Sequence, residues 1–329
     1  MADENSPSSN DRVNLVYETK VGDKSEQIEL PFKLLVLGDY TRDERSQYLE
    51  EQTPILLNAE SNNLEVLFKQ LKPDLKLKVV NKLEGDDSDL LFELSFNSLD
   101  DFTPSRIIEQ HSGLKKIVEF TDTLGKSTDT KTIDLSDGDK SLLESVLQVE
   151  NTSLAELQQS SESLGWLISS IESRLCEQLD EILHHPHFNA MESVWRALDF
   201  LIDRTDFTEN CEIAVLNVSK QALADDFEDM PEITQSRYYQ LVYTDEFGQF
   251  GGRPYGAIIA AFELNPKASD MKLIQKIAGV SAVAHAPFIA GAAAEFFDID
   301  SYSKFSRLRD LSSIFNQPAY IKWNSFQQS

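Results

Sequence analysis

The clearest helical periodicity in the chain lies at residues 177–207. Hydrophobic side chains recur there three and four positions apart, and Pro186 interrupts the pattern, so two helices are predicted to meet at this proline. The stripe of the second helix consists of Phe188, Met191, Val194, Trp195, Leu198, Leu201 and Ile202. The preceding helix, over 160–183, has its own stripe: Trp166, Leu167, Ile171, Leu175, Leu179, Ile182 and Leu183. We expect Trp195 to bury its ring against that helix.

Strand patterns prevail before residue 100. Apolar and polar residues alternate at 13–20, a turn follows at Gly22-Asp23, and 34–37 is a continuous apolar run, typical of a strand buried on both faces. Alternation predicts two further strands at 75–80 and 90–96, after a short amphipathic helix near 64–71. Pro104 suits the first turn of a helix that is predicted to continue to about residue 120.

Strands and helices are mixed in the remainder of the chain. Apolar runs predict strands at 211–218 and 257–263, and helices at 219–226 and 270–284. Two segments stay open: 238–243 fits a strand or a helix, and 287–294 fits a buried strand or a loop. The fold class is therefore α/β, in the mixed α+β sense.

Composition predicts where the chain divides. Residues 1–11 are polar and are expected to be a disordered tail, and 121–140 are small, polar and charged, which is typical of a linker. This gives one domain at 12–120 and a second region at 141–329. A chain of 329 residues is long enough for two such units.

Charge and cysteine content narrow the function classes. With 56 acidic and 30 basic residues, the net charge of −26 repels phosphate backbones, which argues against nucleic-acid binding; such a surface either meets a basic partner surface or simply keeps the protein soluble. No apolar run of 18 residues exists, so membrane insertion is not expected, and the start of the chain lacks the apolar segment of a signal peptide. Cys176 and Cys211 form no CxxC pair; Cys176 is expected to be a buried thiol, and a reducing, cytoplasmic location fits.

Three histidines at the predicted helix junction could indicate a metal site. His184, His185 and His187, with Glu181, are plausible ligands. However, Pro186 separates them and no HExxH arrangement is present, so we favour a junction role in which one histidine caps the end of the first helix.

Other candidate sites have plainer explanations. The loop 248–256 lacks the ending of a P-loop, so Gly251 and Gly252 are assigned a structural role in a tight turn between two strands. His285, in an apolar segment, is expected to be a core histidine. The acidic run of Asp225, Asp226, Glu228 and Asp229 lacks EF-hand spacing and predicts a solvated face, with a basic partner as the alternative. We predict no catalytic residue, cofactor or metal.

Residues 141–149 form a short amphipathic segment between polar stretches. Leu142, Leu143, Val146 and Leu147 would lie on one face of a helix that is too short to be stable alone. Such a face needs a groove, which either a partner or the protein's own core could supply.

The order of these segments resembles the contractile sheath of type VI secretion systems. Residues 12–120 resemble its small subunit (TssB/VipA type) in RVNLVYETKVGDKSEQIELPFKLLVLGDY, VVNKL, SFNSLDDFTP and GLKKIVEF. Residues 164–326 resemble the N-terminal part of its large subunit (TssC/VipB type) in LDEILHHPHFNAMESVWRALDFLIDRTDF, LNVSK, DDFEDMPEITQS, YTDEFGQFGGRPYGAII and VAHAPFIAGA.

The resemblance implies a sheath-like fold in which the two segments pack together within one chain. In this family, heterodimers of the subunits stack around an inner tube, contract to drive effector delivery, and are taken apart by the ClpV-type AAA+ ATPase; neither subunit is an enzyme. The implied partners are sheath subunits, the inner tube protein and ClpV, whose docking helix the 141–149 segment weakly resembles.

This chain departs from the family pattern in two respects. The subunits are fused through 121–163, and both resemblances stop short of the family's C-terminal parts, near residues 120 and 326. The resemblance thus implies a fused, C-terminally truncated sheath protein. A structural sheath component is the favoured function, and a non-polymerising regulator or decoy that binds sheath subunits is the alternative.

Overall fold

A computed structural model describes residues 16–21, 24–60, 63–83, 88–126, 161–249, 251–308 and 310–328. The strands of this part of the chain are β1 Val16–Val21, β2 Lys24–Glu29, β3 Phe32–Gly38, β4 Ile55–Leu57, β5 Asp74–Val80, β6 Asp89–Ser95, β7 Cys211–Asn217, β8 Tyr255–Leu264 and β9 Phe288–Ala292. The helices are α1 Leu64–Leu71, α2 Pro104–Gln110, α3 Ser112–Lys126, α4 Ser161–Leu183, α5 Pro186–Asp203, α6 Lys220–Asp229, α7 Arg237–Tyr239 (continued by a π-helical turn over Gln240–Thr244), α8 Ala268–Ala284, α9 Leu311–Phe315 and α10 Ile321–Gln327.

Both halves of the chain contribute to one five-stranded sheet in the described residues. Its order is β4-β7-β3-β8-β9. The central strand, β3, comes from the first half and runs parallel to β7 on one side and to β8 on the other, while β9 continues the parallel arrangement and β4 is antiparallel. The packing of the two halves on each other, predicted from the sequence, is therefore seen in the backbone hydrogen bonds of the sheet.

Helices cover both faces of this sheet, as expected for a parallel sheet with apolar strands. On one face, Val36 and Val215 join a core with α1, α4, α5 and the β5–β6 hairpin. On the other face, Leu35 and Leu216 join a core with α6, α7 and α8. The alternation of strand side chains between these two cores explains why β3 has no polar face.

Two hairpins lie outside the central sheet. β1 and β2 pair in register from Val16↔Glu29 to Val21↔Lys24, as the turn at residues 22–23 predicted. β5 and β6 pair antiparallel, and their apolar face, which includes Leu77 and Phe92, is buried in the first core. Outward-facing ion pairs such as Lys76–Glu93 keep the opposite face of this hairpin polar.

The local sequence explains most helix ends. The Asn63 side chain accepts a hydrogen bond from the Glu65 N–H at the start of α1, and Lys72, with φ of 45°, ends that helix. Ser219 caps α6 in the same way through the Ala222 N–H. Pro186 occupies the first turn of α5, where its missing N–H costs no hydrogen bond.

One predicted helix differs from the structure, two segments that the sequence left open are assigned, and two predicted segments cannot be compared. The helix expected over 104–120 is divided at His111 into α2 and α3, and α3 continues to Lys126, through the first residues of the predicted linker. The ambiguous segment 238–243 is helical, and the segment at 287–294 contains strand β9. The tail at 1–11 and residues 127–140 of the linker lie outside the described residues, and the division into domains stays a prediction.

Candidate interaction site

The second half of the chain holds the turn that follows β3. The side chain of Asn217, at the end of β7, accepts a hydrogen bond from the Tyr40 N–H (2.9 Å) and donates one to the Thr41 hydroxyl (3.0 Å). The indole N–H of Trp195 donates to the Tyr40 carbonyl (3.0 Å). Because all these groups are buried, the bonds satisfy backbone groups that would otherwise be costly to remove from water.

Trp195 is the aromatic centre of this contact. Its fully buried ring stacks on Phe68 of α1, with centroids 3.8 Å apart, and meets the edge of Tyr40 at 5.4 Å. These aromatic partners come from the first half of the chain, and Leu175, Leu179 and Ile182 of the preceding helix belong to the same core as Trp195. The assignment of Trp166 to the apolar stripe of that helix is wrong, because its side chain is 44% exposed, whereas Leu167, the next member of the predicted stripe, is buried.

The histidines lie at the predicted helix junction. The His184 ring nitrogen lies 2.9 Å from the Asp180 carbonyl at the end of α4. His185 caps α5, since its Nδ1 accepts the His187 N–H. Burial lowers the pKa of His185, and the charge of His187 lowers it further. His187 in turn lies 3.3 Å from the guanidinium of Arg42, beyond β3. Within the described residues no three His, Cys, Asp or Glu side chains converge as a metal site.

The glycine loop joins the π-helical turn to β8, so its assignment as a turn between two strands is wrong. Gly251 has a φ of +85°, which favours glycine. A Cβ on Gly252 would lie 2.2 Å from the Glu246 carbonyl oxygen. Both glycines thus have backbone reasons for their identity.

Three other expectations also need correction. His285 is exposed and ends α8 with a φ of 52°, and Cys176 is exposed rather than buried. In the acidic run, Asp226 is not simply solvated: its carboxylate accepts the N–H groups of Arg237 and Tyr238, at the start of α7. Negative charge at a helix N-terminus is favourable there.

The candidate docking residues Leu142, Leu143, Val146 and Leu147 lie outside the described residues. Sequence reasoning also missed Tyr40 and Asn217, although a polar residue that ends an apolar strand was a usable signal for the second. Among the described helices, none is sufficiently long and apolar to span a membrane. The arrangement as a whole is an interface between two segments of one chain, built from buried aromatic and amide groups.

Each half of the chain matches the model of a known protein family. Residues 5–162 match the family model described as type VI secretion system, VipA, and residues 166–329 match the VipB model, described as the EvpB-type tail sheath N-terminal domain. The type VI secretion system sheath protein TssC1 of Pseudomonas aeruginosa is 35% identical over 169 residues, which are 51% of this chain and 34% of that protein. Sheath protein TssB1 of the same organism is 25% identical over 108 residues, 33% of this chain and 62% of that protein. The two-part resemblance predicted from the sequence is confirmed.

Proposed function

We propose that this chain is a structural component of a contractile type VI secretion sheath, because residues 5–162 match the VipA family model (the VipA-type region) and residues 166–329 match the VipB tail sheath N-terminal model (the VipB-type region). Its role is assembly rather than catalysis, and its location is cytoplasmic. The chain matches about a third of the length of TssC1 and less than two thirds of TssB1. Assembly into a sheath and contraction are therefore proposed for this chain.

The central sheet is the observation that carries this function. A strand of the VipA-type region lies between two strands of the VipB-type region, with parallel pairing on both sides. Two separate subunits that paired in this way would have to meet before either completed its sheet. In this chain the pairing is intramolecular, so each molecule carries a preassembled unit of the two sheath components.

The partners follow from the two families. Sheath subunits, either further copies of this chain or a separate large subunit, are the primary partners. We propose the inner tube protein and a ClpV-type AAA+ ATPase as further partners. Leu142, Leu143, Val146 and Leu147 are the residues proposed to contact the ATPase, because their spacing predicts a short amphipathic helix that a groove on a partner could stabilise.

Negative-stain microscopy of the purified chain tests the proposal. The chain is imaged alone and mixed with a separately purified large sheath subunit, and the large subunit alone is the control. We expect tubular or helical polymers that contain this chain, identified by labelling. Discrete particles that bind the large subunit and block its polymerisation would instead support a regulator or decoy, and the absence both of polymers that contain this chain and of binding to the large subunit would contradict both functions.

A further inference from the structure

The central strand β3 carries little information in its apolar pattern about its own register. Leu35 and Leu37 face one core, while Leu34 and Val36 face the other. A slip by one residue exchanges the two faces of a strand. Here the slip would bring Leu34 and Val36 to the face that Leu35 and Leu37 now occupy. Apolar burial alone therefore discriminates weakly between the two registers.

Lys33 is the charged residue of this strand, and it is buried. It is 4% exposed, and charged side chains at that depth require a partner. Its ammonium group lies 2.7 Å from Glu246 Oε1 and 4.6 Å from the centre of the Tyr255 ring. Both partners belong to the VipB-type region, whereas Lys33 belongs to the VipA-type region.

Neighbouring strands place further charges in the same row. Lys33 pairs with Glu212 on β7 and with Tyr255 on β8. The Glu212 carboxylate accepts a hydrogen bond from the guanidinium of Arg253, and the Arg253 N–H donates to Glu246 Oε2 (3.1 Å). Lys33 therefore adds the one positive charge from β3 to a row whose other charges, Glu212, Arg253 and Glu246, are already held together by the second half of the chain.

An irregularity in β8 aligns this row. The β3–β8 pairing shifts between Lys33 and Leu34, so that Lys33 opposes Tyr255 while Leu34 opposes Ala257. The residue left between them is Gly256, where an added Cβ would lie 2.4 Å from the Phe32 ring. Such bulges redirect individual side chains, and this one brings the Tyr255 ring beside the lysine.

We propose that Lys33 and Glu246 are specificity-determining residues that select the register of the VipA-type strand within the VipB-type sheet. A one-residue slip would move the ammonium group to the apolar core on the other face and leave Glu246 without it. Buried polar groups fix register in this way in some other assemblies. The inference rests on the proposed function in one respect, since it describes how a small-subunit strand is recognised by a large-subunit region.

Disulfide trapping in the full chain tests the register directly. In a background with Cys176→Ser and Cys211→Ser, the pair Leu35→Cys and Ala214→Cys reports the observed register, because these residues are direct partners. The pair Leu34→Cys and Ala214→Cys reports the slipped register. Each pair is refolded under oxidising conditions with Lys33, with Lys33→Met, and with the exchanged pair Lys33→Glu and Glu246→Lys, and the products are quantified by mass spectrometry.

With Lys33 we expect only the 35–214 disulfide. With Lys33→Met, which keeps the length of the side chain but not its charge, the 34–214 disulfide should become a major product, and the exchanged pair should restore 35–214. Hydrogen exchange of residues 32–38 in Lys33→Met without added cysteines gives an independent measure, and altered protection there is expected. Unchanged disulfides and unchanged protection in Lys33→Met would overturn the proposal. These measurements need no polymer, so their outcome is distinct from that of the microscopy.

Discussion

The Trp195 indole stacks on the Phe68 ring at a centroid distance of 3.8 Å and an interplanar angle of 12°. Phe68 lies in the VipA-type region and Trp195 in the VipB-type region, and both rings are buried. The same indole donates its N–H to the carbonyl of Tyr40, so a single side chain combines apolar burial, ring stacking and a hydrogen bond across the junction. The stability of the two regions is therefore coupled at this point.

Trp195→Ala should destabilise the whole described fold, and not one half of it. Loss of a buried tryptophan costs about 3–5 kcal/mol in free energy of unfolding. That is a large share of the stability of an ordinary domain. Urea unfolding, followed by circular dichroism and by protease sensitivity of both regions, measures the effect.

Trp166→Ala is the matched control, because it removes the same side chain from an exposed position. Its free energy of unfolding should change by roughly 0.5 kcal/mol or less, as is usual at surface sites. Equal losses in the two variants would contradict the assignment of Trp195 as the centre of the junction.

Much of this fold could be predicted from periodicity alone. The apolar stripe from Phe188 to Leu198 identifies helix α5, and the apolar run at 34–37 identifies strand β3, since a loop would contain fewer apolar residues in such regular positions. Periodicity does not encode which distant element covers a face. This is why the pattern predicts contact between Trp195 and the sequence-adjacent helix but does not identify Phe68 and Tyr40, which lie more than 100 residues away.

Gly252→Ala should disrupt the loop that leads into β8. The added methyl carbon would lie 2.2 Å from the Glu246 carbonyl oxygen and 2.8 Å from its carbon, and backbone atoms cannot rotate aside as a side chain can. Because Glu246 binds Lys33, the strain should also reach the central strand. We expect a clear fall in the thermal unfolding midpoint.

For Gly165→Ala we expect the opposite change, a rise in the thermal unfolding midpoint. Gly165 lies in α4, and nothing is within 4 Å of an added Cβ. Alanine is favoured over glycine inside helices by about 1 kcal/mol, so the midpoint should rise. A tolerated Gly252→Ala would show that the loop can adopt another backbone path.

Acidification should weaken the start of α5 through His185. Burial and the charge of His187 lower the pKa of His185 below its ordinary value of 6.5. A lowered pKa means that the unfolded chain binds the proton more readily, so this contribution to stability is complete above pH 6.5 and declines as the pH falls toward the folded-state pKa. Protonation of Nδ1 also removes the acceptor for the His187 N–H.

His185→Asn separates this contribution from other titrations. Asparagine keeps an acceptor at the N-cap but does not titrate. The fall in thermal midpoint between about pH 7.5 and pH 5 should be smaller in this variant than in the wild type. His111→Asn is a parallel comparison, since His111 Nδ1 accepts the Leu114 N–H and burial also lowers its pKa. An unchanged pH dependence in His185→Asn would contradict the capping role.

The junction itself was less predictable than its elements. Lys33 and Glu246 are 213 positions apart, and neither belongs to a recognisable motif. Their association arises from the parallel order β7-β3-β8, which periodicity does not specify. The place of the histidine cluster, between α4 and α5, is predictable from the sequence because Pro186 marks the start of a helix, and this signal depends on neighbouring residues alone.

The 141–149 segment offers a test of the proposed contact with a ClpV-type ATPase. Leu143 and Val146 would lie three residues apart on the apolar face, at the spacing that helix-in-groove recognition uses. Leu143→Asp with Val146→Asp places two carboxylates on that face. Burying either without a partner is costly, so binding of the purified N-terminal domain of the ATPase should be lost in a pull-down while the circular dichroism spectrum is retained.

Ser145→Asp with Gln148→Asp is the matched control, because it adds the same two charges at the same spacing on polar positions of the segment. Its binding should remain close to that of the wild type. If the Leu143 and Val146 changes also abolish the folded spectrum, the segment belongs to the protein's own core. Undiminished binding of that variant would exclude the segment as the docking site, because an apolar groove cannot accept a helix whose central anchors are both charged.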